Sequence, residues 1–94
     1  MTLHVVWTQT ARLDLLEIIR YIAERSPAAA RAVKEVIESA PQSAAIAPYL
    51  YRNGRIPGTR EIVVHPNYIV VYAVTTDSIE VLNVLHSRQC YPFE

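Results

Sequence analysis

Apolar and polar positions change spacing several times along this chain, and each change marks an element. Leu3 to Trp7 is short, apolar and rich in β-branched residues, which predicts a first strand. Thr8 and Thr10 follow as candidate helix N-caps, because a hydroxyl can accept a backbone N–H that a helix start leaves unpaired. From Ala11 the apolar residues Ala11, Leu15, Ile18 and Ile22 take the i, i+4, i+7, i+11 spacing of one helix face, with Arg12, Glu17, Arg20 and Glu24 off it. That helix is expected to end near Arg25. Ser26-Pro27 starts the next, serine as cap and proline at a first position where its missing N–H costs nothing. Ala29, Val33, Val36, Ile37 and Ala40 form the second stripe, and so short a turn predicts an antiparallel helical hairpin. Pro41 is expected to kink this helix or end it, leaving a helical turn through Ile46.

Residues 48–59 read as a connection. Pro48, Asn53-Gly54 and Pro57-Gly58 are turn signals, and Pro-Gly suits the central positions of a type II turn. Three strands follow: Glu61 to Val64, Tyr68 to Thr75 and Ile79 to His86, separated by His65-Pro66-Asn67 and Thr76-Asp77. In the last, strict alternation sends Ile79, Val81, Asn83 and Leu85 one way and Glu80, Leu82, Val84 and His86 the other. Both sets are mostly apolar, so this strand is expected to be central and covered. The whole order predicts an α+β fold of two layers, with an N-terminal strand, an antiparallel helical hairpin and an antiparallel β-meander. The first strand is expected to return and pair within the sheet.

Length and charge narrow the picture. At 94 residues the chain is expected to be one domain, 1–94, with a thin core. Formal net charge is zero, with five basic and five acidic side chains in residues 1–47 and four of each in 48–94. No global field draws it to nucleic acid or membrane, so any binding preference must come from a local patch. Cys90 is the single cysteine, which excludes an intramolecular disulfide and fits a reducing compartment. The start of the chain lacks a basic, apolar signal pattern, and no apolar run approaches the ~20 residues of a membrane span. A cytoplasmic protein is expected. Scattered histidines predict no metal site, and two glycines four residues apart without a following Lys-Ser/Thr predict no nucleotide loop. No cofactor is expected.

Several segments carry a family resemblance: Val6-Trp7-Thr8, Ile18-Ile19-Arg20-Tyr21-Ile22, and Pro48-Tyr49-Leu50-Tyr51. More specific are Pro57-Gly58-Thr59-Arg60-Glu61, Pro66-Asn67-Tyr68-Ile69-Val70-Val71-Tyr72 and the closing Val84-Leu85-His86-Ser87-Arg88. Over nearly its whole length the chain resembles the RelE/ParE superfamily of type II toxin–antitoxin toxins, and its ParE branch more than the rest. The resemblance implies a RelE/ParE-like two-layer fold. It also implies a cognate antitoxin whose disordered tail wraps the toxin, with operator DNA reached only through that antitoxin. A sheet face left bare by the two helices is the expected landing site. ParE-like members inhibit DNA gyrase, whereas RelE-like members cut mRNA on the ribosome. Gyrase is the expected target; a ribosome-dependent endoribonuclease is the alternative.

The candidate chemistry divides the same way. RNA cleavage needs a base for the 2′-hydroxyl, an acid for the leaving oxygen and cations for the phosphorane charge. The RelE-like pattern places an arginine in the penultimate strand, and here Ile69 takes that place. His86 is the residue best suited to proton transfer. With Arg88 and Tyr91 it forms the catalytic set if the chain is a nuclease; otherwise it ends a strand and hydrogen-bonds the sheet edge. Arg88 is expected one strand step beyond His86 on the same side, where it could meet a phosphate or carboxylate. Tyr49 to Arg60 holds Arg52, Arg55 and Arg60 with no acidic residue. Arg55, Arg60, Tyr68, Tyr72, His86 and Arg88 are therefore the candidate residues for binding target or antitoxin. Tyr68 and Tyr72 share a strand face, where packing is the competing role.

Overall fold

The computed structural model describes residues 2–89 and 91–92. In chain order the elements are β1 (His4–Trp7), α1 (Gln9–Ala23), α2 (Pro27–Ile46), β2 (Arg52–Asn53), β3 (Arg60–His65), β4 (Tyr68–Val74) and β5 (Ser78–His86). The five strands form one sheet in the order β1-β5-β4-β3-β2. β1 runs parallel to β5 and the other neighbours are antiparallel. The α+β architecture expected above is thus the observed one, with β5 internal between β1 and β4.

Thr8 alone caps α1. Its Oγ1 accepts from the Ala11 N–H at 3.2 Å and donates to the Val81 carbonyl at 2.8 Å, so one side chain starts the helix and ties it to β5. Thr10 lies inside the helix. Ser26 caps α2 through the Ala29 N–H, with Pro27 at the first turn as expected. Pro41 neither ends α2 nor leaves a separate turn: the helix is continuous to Ile46, and Pro41 is buried on its inner face. The predicted stripe of α2 holds in part: Ile37 is buried, and Val33 and Ala40 pack against the core. Ala29 and Val36 are exposed, and the inner face is Ala30, Ile37, Pro41, Ala44 and Ala45. Alanines carry little hydrophobic signal, yet Ala44 and Ala45 are fully buried in the core.

Residues 48–59 are not wholly connection, since β2 pairs Arg52 with Glu61 and Asn53 with Arg60. The Pro57-Gly58 turn forms as predicted: Gly58 takes φ 84, and the Thr59 N–H reaches the Ile56 carbonyl at 3.2 Å. A side chain at Gly54 would collide with the Thr59 hydroxyl. In β5 the predicted alternation fails at Leu82. Tyr72 pairs with Val81 but Val71 pairs with Asn83, so Leu82 is an extra residue and the faces exchange beyond it. Ile79, Val81 and Val84 consequently share the helix-side core with Tyr68, Val70, Tyr72, Leu15 and Ile37. Ile69, Val71 and Leu85 form a second cluster on the other face, with Tyr91 packed against it. Those three side chains are 4%, 0% and 1% exposed, so that part of the face is covered, while Val63, paired with Ile69, is exposed. Cys90 and Phe93 lie outside the described residues.

Candidate functional site

The segment from Tyr49 to Glu61 brings most of the predicted cationic residues together. Strand alternation sends Arg60 and Glu61 to opposite faces of β3. On the helix side, Arg60 Nη1 donates to the carbonyls of Tyr49 and Tyr51 at 3.3 and 2.7 Å, with its guanidinium 5.1 Å above the Tyr49 ring. On the other side the Glu61 carboxylate is almost wholly buried. It accepts from Arg52 Nη2 at 2.9 Å and from the Arg55 N–H at 3.0 Å, with Arg55 Nε at 3.6 Å. Residues 49–60 look purely basic in the sequence, but the next residue partly neutralises them. Arg55 therefore already has a partner within the chain. Glu61 was missed as a candidate; its only sequence signal was its place in the Pro-Gly-x-Arg-Glu motif.

Tyr72 is fully buried beside this segment, and its hydroxyl donates to the Pro48 carbonyl at 2.6 Å. Its ring meets Tyr51 edge-on with centroids 6.4 Å apart. Burial pushes the phenol from 10.0 up to about 12, with Arg60 pulling it back and Tyr51 adding to the rise. The unfolded chain therefore loses this proton first. The stability this gives is fully present below pH 10 and disappears as pH rises from 10 through about 12. Tyr72→Phe should lower stability by ~1 kcal/mol at neutral pH through the lost hydrogen bond. It should also flatten the alkaline fall. Urea midpoints from pH 8 to 12 check both, and an unchanged alkaline slope would contradict the assignment.

At the opposite end of β4, Tyr68 stands between two imidazoles, with His65 and His86 each 5.5 Å away between ring centroids. Tyr68 and Tyr72 do share the helix-side face. Each histidine uses Nδ1 to accept the N–H two residues ahead, from Asn67 and from Arg88, both at 3.1 Å. A neutral ring then carries its proton on Nε2. His86 lines a hollow of ≈ 460 Å³ with Glu17, Tyr21, Asn67, Tyr68 and Gln89. Burial raises the Tyr68 phenol above its ordinary value, and Tyr21 adds to this. Glu17 and Tyr21 were not among the candidates, since α1 contributes them from outside its apolar stripe.

Arg88 is not one strand step beyond His86. β5 ends at His86, and Arg88 sits in the following turn, exposed, touching His86 through its backbone N–H. Tyr91 lies across the sheet from His86. It packs on Ile69, Val71 and Leu85, and its hydroxyl donates to Asn83 Oδ1 at 3.4 Å. Burial raises its phenol, Glu61 and Asp14 add to this, and Arg55 opposes it. The proposed nuclease set is thus divided, with His86 on the helix side of the sheet, Tyr91 on the other, and Arg88 exposed in the turn beyond β5. Asp14 is a second polar residue the sequence did not single out. Its Oδ2 accepts from Asn83 Nδ2 at 3.1 Å and the Val84 N–H at 3.0 Å, satisfying β5 just past the bulge.

Between the helices runs a mainly apolar groove of ≈ 280 Å³ lined by Trp7, Arg12, Leu15, Leu16, Ile19, Lys34 and Glu38. Leu13 and Leu16 on α1 are 55% and 46% exposed. Exposed apolar side chains thus line part of α1, while Val6 on β1 and Val63 on β3 are exposed on the sheet.

Comparison with known proteins agrees with this architecture. The Sinorhizobium fredii protein Y4kP, named as a toxin, is 39% identical over 87 residues, covering 92% of this chain and 90% of its own. Toxin RelE2 of Caulobacter vibrioides is 34% identical over 86 residues, covering 90% and 96%. Among solved structures, a chain of the chromosomal ParDE system from P. aeruginosa superposes with TM-score 0.75 at 20% identity, covering 90% of this chain and 96% of that one. One from the RelBE2 toxin–antitoxin complex of Mycobacterium tuberculosis gives 0.60 at 23%, covering 92% and 99%. The family model described as the ParE toxin of the type II toxin–antitoxin system parDE matches residues 5–91, and the chain belongs to that family of toxins.

Proposed function

We propose that this toxin arrests growth by binding DNA gyrase, performs no reaction of its own, and is neutralised by a cognate antitoxin. The observation that carries the reading is the arrangement around Ile69. Where a nuclease would want a cation, an isoleucine lies 4% exposed in an apolar cluster. His86 and Tyr91 are separated by the sheet, so among the described residues the candidate base and acid do not face one phosphate together. An antitoxin segment with an apolar helical face would fit the groove beside Leu16, losing ordering entropy as it buries area there. Brief expression in bacteria tests the target. A gyrase toxin should raise the SOS response before bulk translation falls. Translation failing first would favour ribosomal cleavage.

A second reading, ribosome-dependent cleavage of mRNA, draws on one feature: His86 faces a hollow shared with Tyr68 and Tyr21. His86→Ala separates the two. A nuclease should lose ~10²–10⁴-fold of its activity with its general acid or base. A gyrase binder should lose little toxicity, and Arg88→Ala should matter at least as much because an exposed arginine contact is removed outright. Growth curves at matched expression decide it. Abolished toxicity in His86→Ala, with folding and antitoxin binding intact, would overturn the binding reading.

A further inference from the structure

Just past the C-terminal end of α2 the chain leaves three large apolar side chains in solvent. Ile46, Tyr49 and Leu50 are 71%, 68% and 74% exposed, more than any other large apolar residue among those described. Single exposed apolar residues are ordinary, but three within five positions form a patch. The backbone beneath them is held firmly. The Ala47 N–H reaches the Ser43 carbonyl at 3.0 Å, and the Leu50 N–H reaches that of Ala47 at 3.2 Å. Tyr72 holds the Pro48 carbonyl, and Arg60 holds those of Tyr49 and Tyr51. A pinned backbone that presents unburied apolar groups loses little further freedom on docking.

The charged group placed against this knuckle is Arg60, its guanidinium 5.1 Å from the Tyr49 ring. Residues 39–60 hold three arginines and no carboxylate, and Glu61, which they enclose, cancels one of the three. Among the described residues Arg60 meets carbonyls and an aromatic face and no carboxylate, which leaves a cation beside Tyr49. Tyrosine and arginine on a preorganised surface are the residues that dominate protein interfaces. The knuckle lies at the Tyr72 end of β4, away from the His86 hollow at the Tyr68 end, and shares no residue with the α1–α2 groove.

We infer that the Ile46–Tyr49–Leu50 knuckle is the surface by which this toxin docks on its protein target, against an apolar pocket rimmed with carboxylates. This rests on the gyrase reading above. The test uses purified gyrase holoenzyme, purified cognate antitoxin, and the full-length toxin as wild type, Tyr49→Ser, Leu50→Ser and, as a surface control elsewhere on α2, Val36→Ser. Tyr49→Ser and Leu50→Ser should each weaken inhibition of supercoiling by roughly 10- to 30-fold. Val36→Ser should not, and all variants should keep wild-type antitoxin affinity and thermal unfolding. Knuckle variants that inhibit supercoiling like wild type overturn the surface and leave the gyrase reading standing. A wild-type toxin that stops growth without inhibiting gyrase overturns that reading, and the occupant named here with it. An equal loss of antitoxin affinity overturns the inference by assigning the knuckle to the antitoxin.

Discussion

Alanine in place of Glu61 should cost the fold about 3 kcal/mol, the low end for breaking a buried ion pair. The carboxylate is 2% exposed and serves Arg52, Arg55 and the Arg55 N–H together. The arginines are 54% and 36% exposed, so water recovers part of their charge when the partner goes. The backbone N–H recovers less. For a domain whose whole stability is ~5–15 kcal/mol, this is a large fraction. Glu61→Gln should cost less, because an amide oxygen can still accept from Arg55. Urea unfolding of the two variants gives the comparison, and amide exchange should show β2 opening first. A Glu61→Ala protein as stable as wild type would mean the two arginines are held by something else.

Arginine at position 69 is the second substitution with a large expected effect. Ile69 is the residue that departs from the nuclease pattern, and restoring the cation looks at first like a route to activity. The structure argues otherwise. Ile69 pairs with Leu85 and packs with Val71 beneath Tyr91, where a guanidinium would find apolar neighbours. Burying a charge without a partner should destabilise by roughly 3–5 kcal/mol, whereas Ile69→Val should cost only about 1 kcal/mol. No ribosome-dependent cleavage should appear, since groups that act as a unit fail together. Thermal melts of both variants and a cleavage assay on translating ribosomes check the expectation. A folded, cleaving Ile69→Arg protein would reverse it.

The arrangement of β1, the helical hairpin and the meander was legible in the chain because each element announces itself locally. Ser26-Pro27 starts α2 through the orphan N–H of Ala29, Pro57-Gly58 makes its turn because Gly58 tolerates positive φ, and the stripe from Ala11 to Leu15 follows from helix geometry.

What tertiary structure decided were matters of register and pairing across long separations. The bulge at Leu82 exchanges the faces of β5 where Thr8 takes the carbonyls of Val81 and Leu82 and Asp14 the Val84 N–H, partners about seventy residues away. Nothing in the local alternation of β5 records that. Pro41 stays within α2 because the core accepts its ring, which propensity cannot foresee. Arg52 and Arg55 looked like cations of a loop and Arg60 like one that opens a strand; folding brings Glu61 to the first two and the carbonyls of Tyr49 and Tyr51 to Arg60. Sequence therefore determined which main elements form, since helix starts and turns depend on neighbours a few residues apart. Which polar groups remain available for a partner depended on contacts that exist only once the sheet closes, so only the structure could decide it.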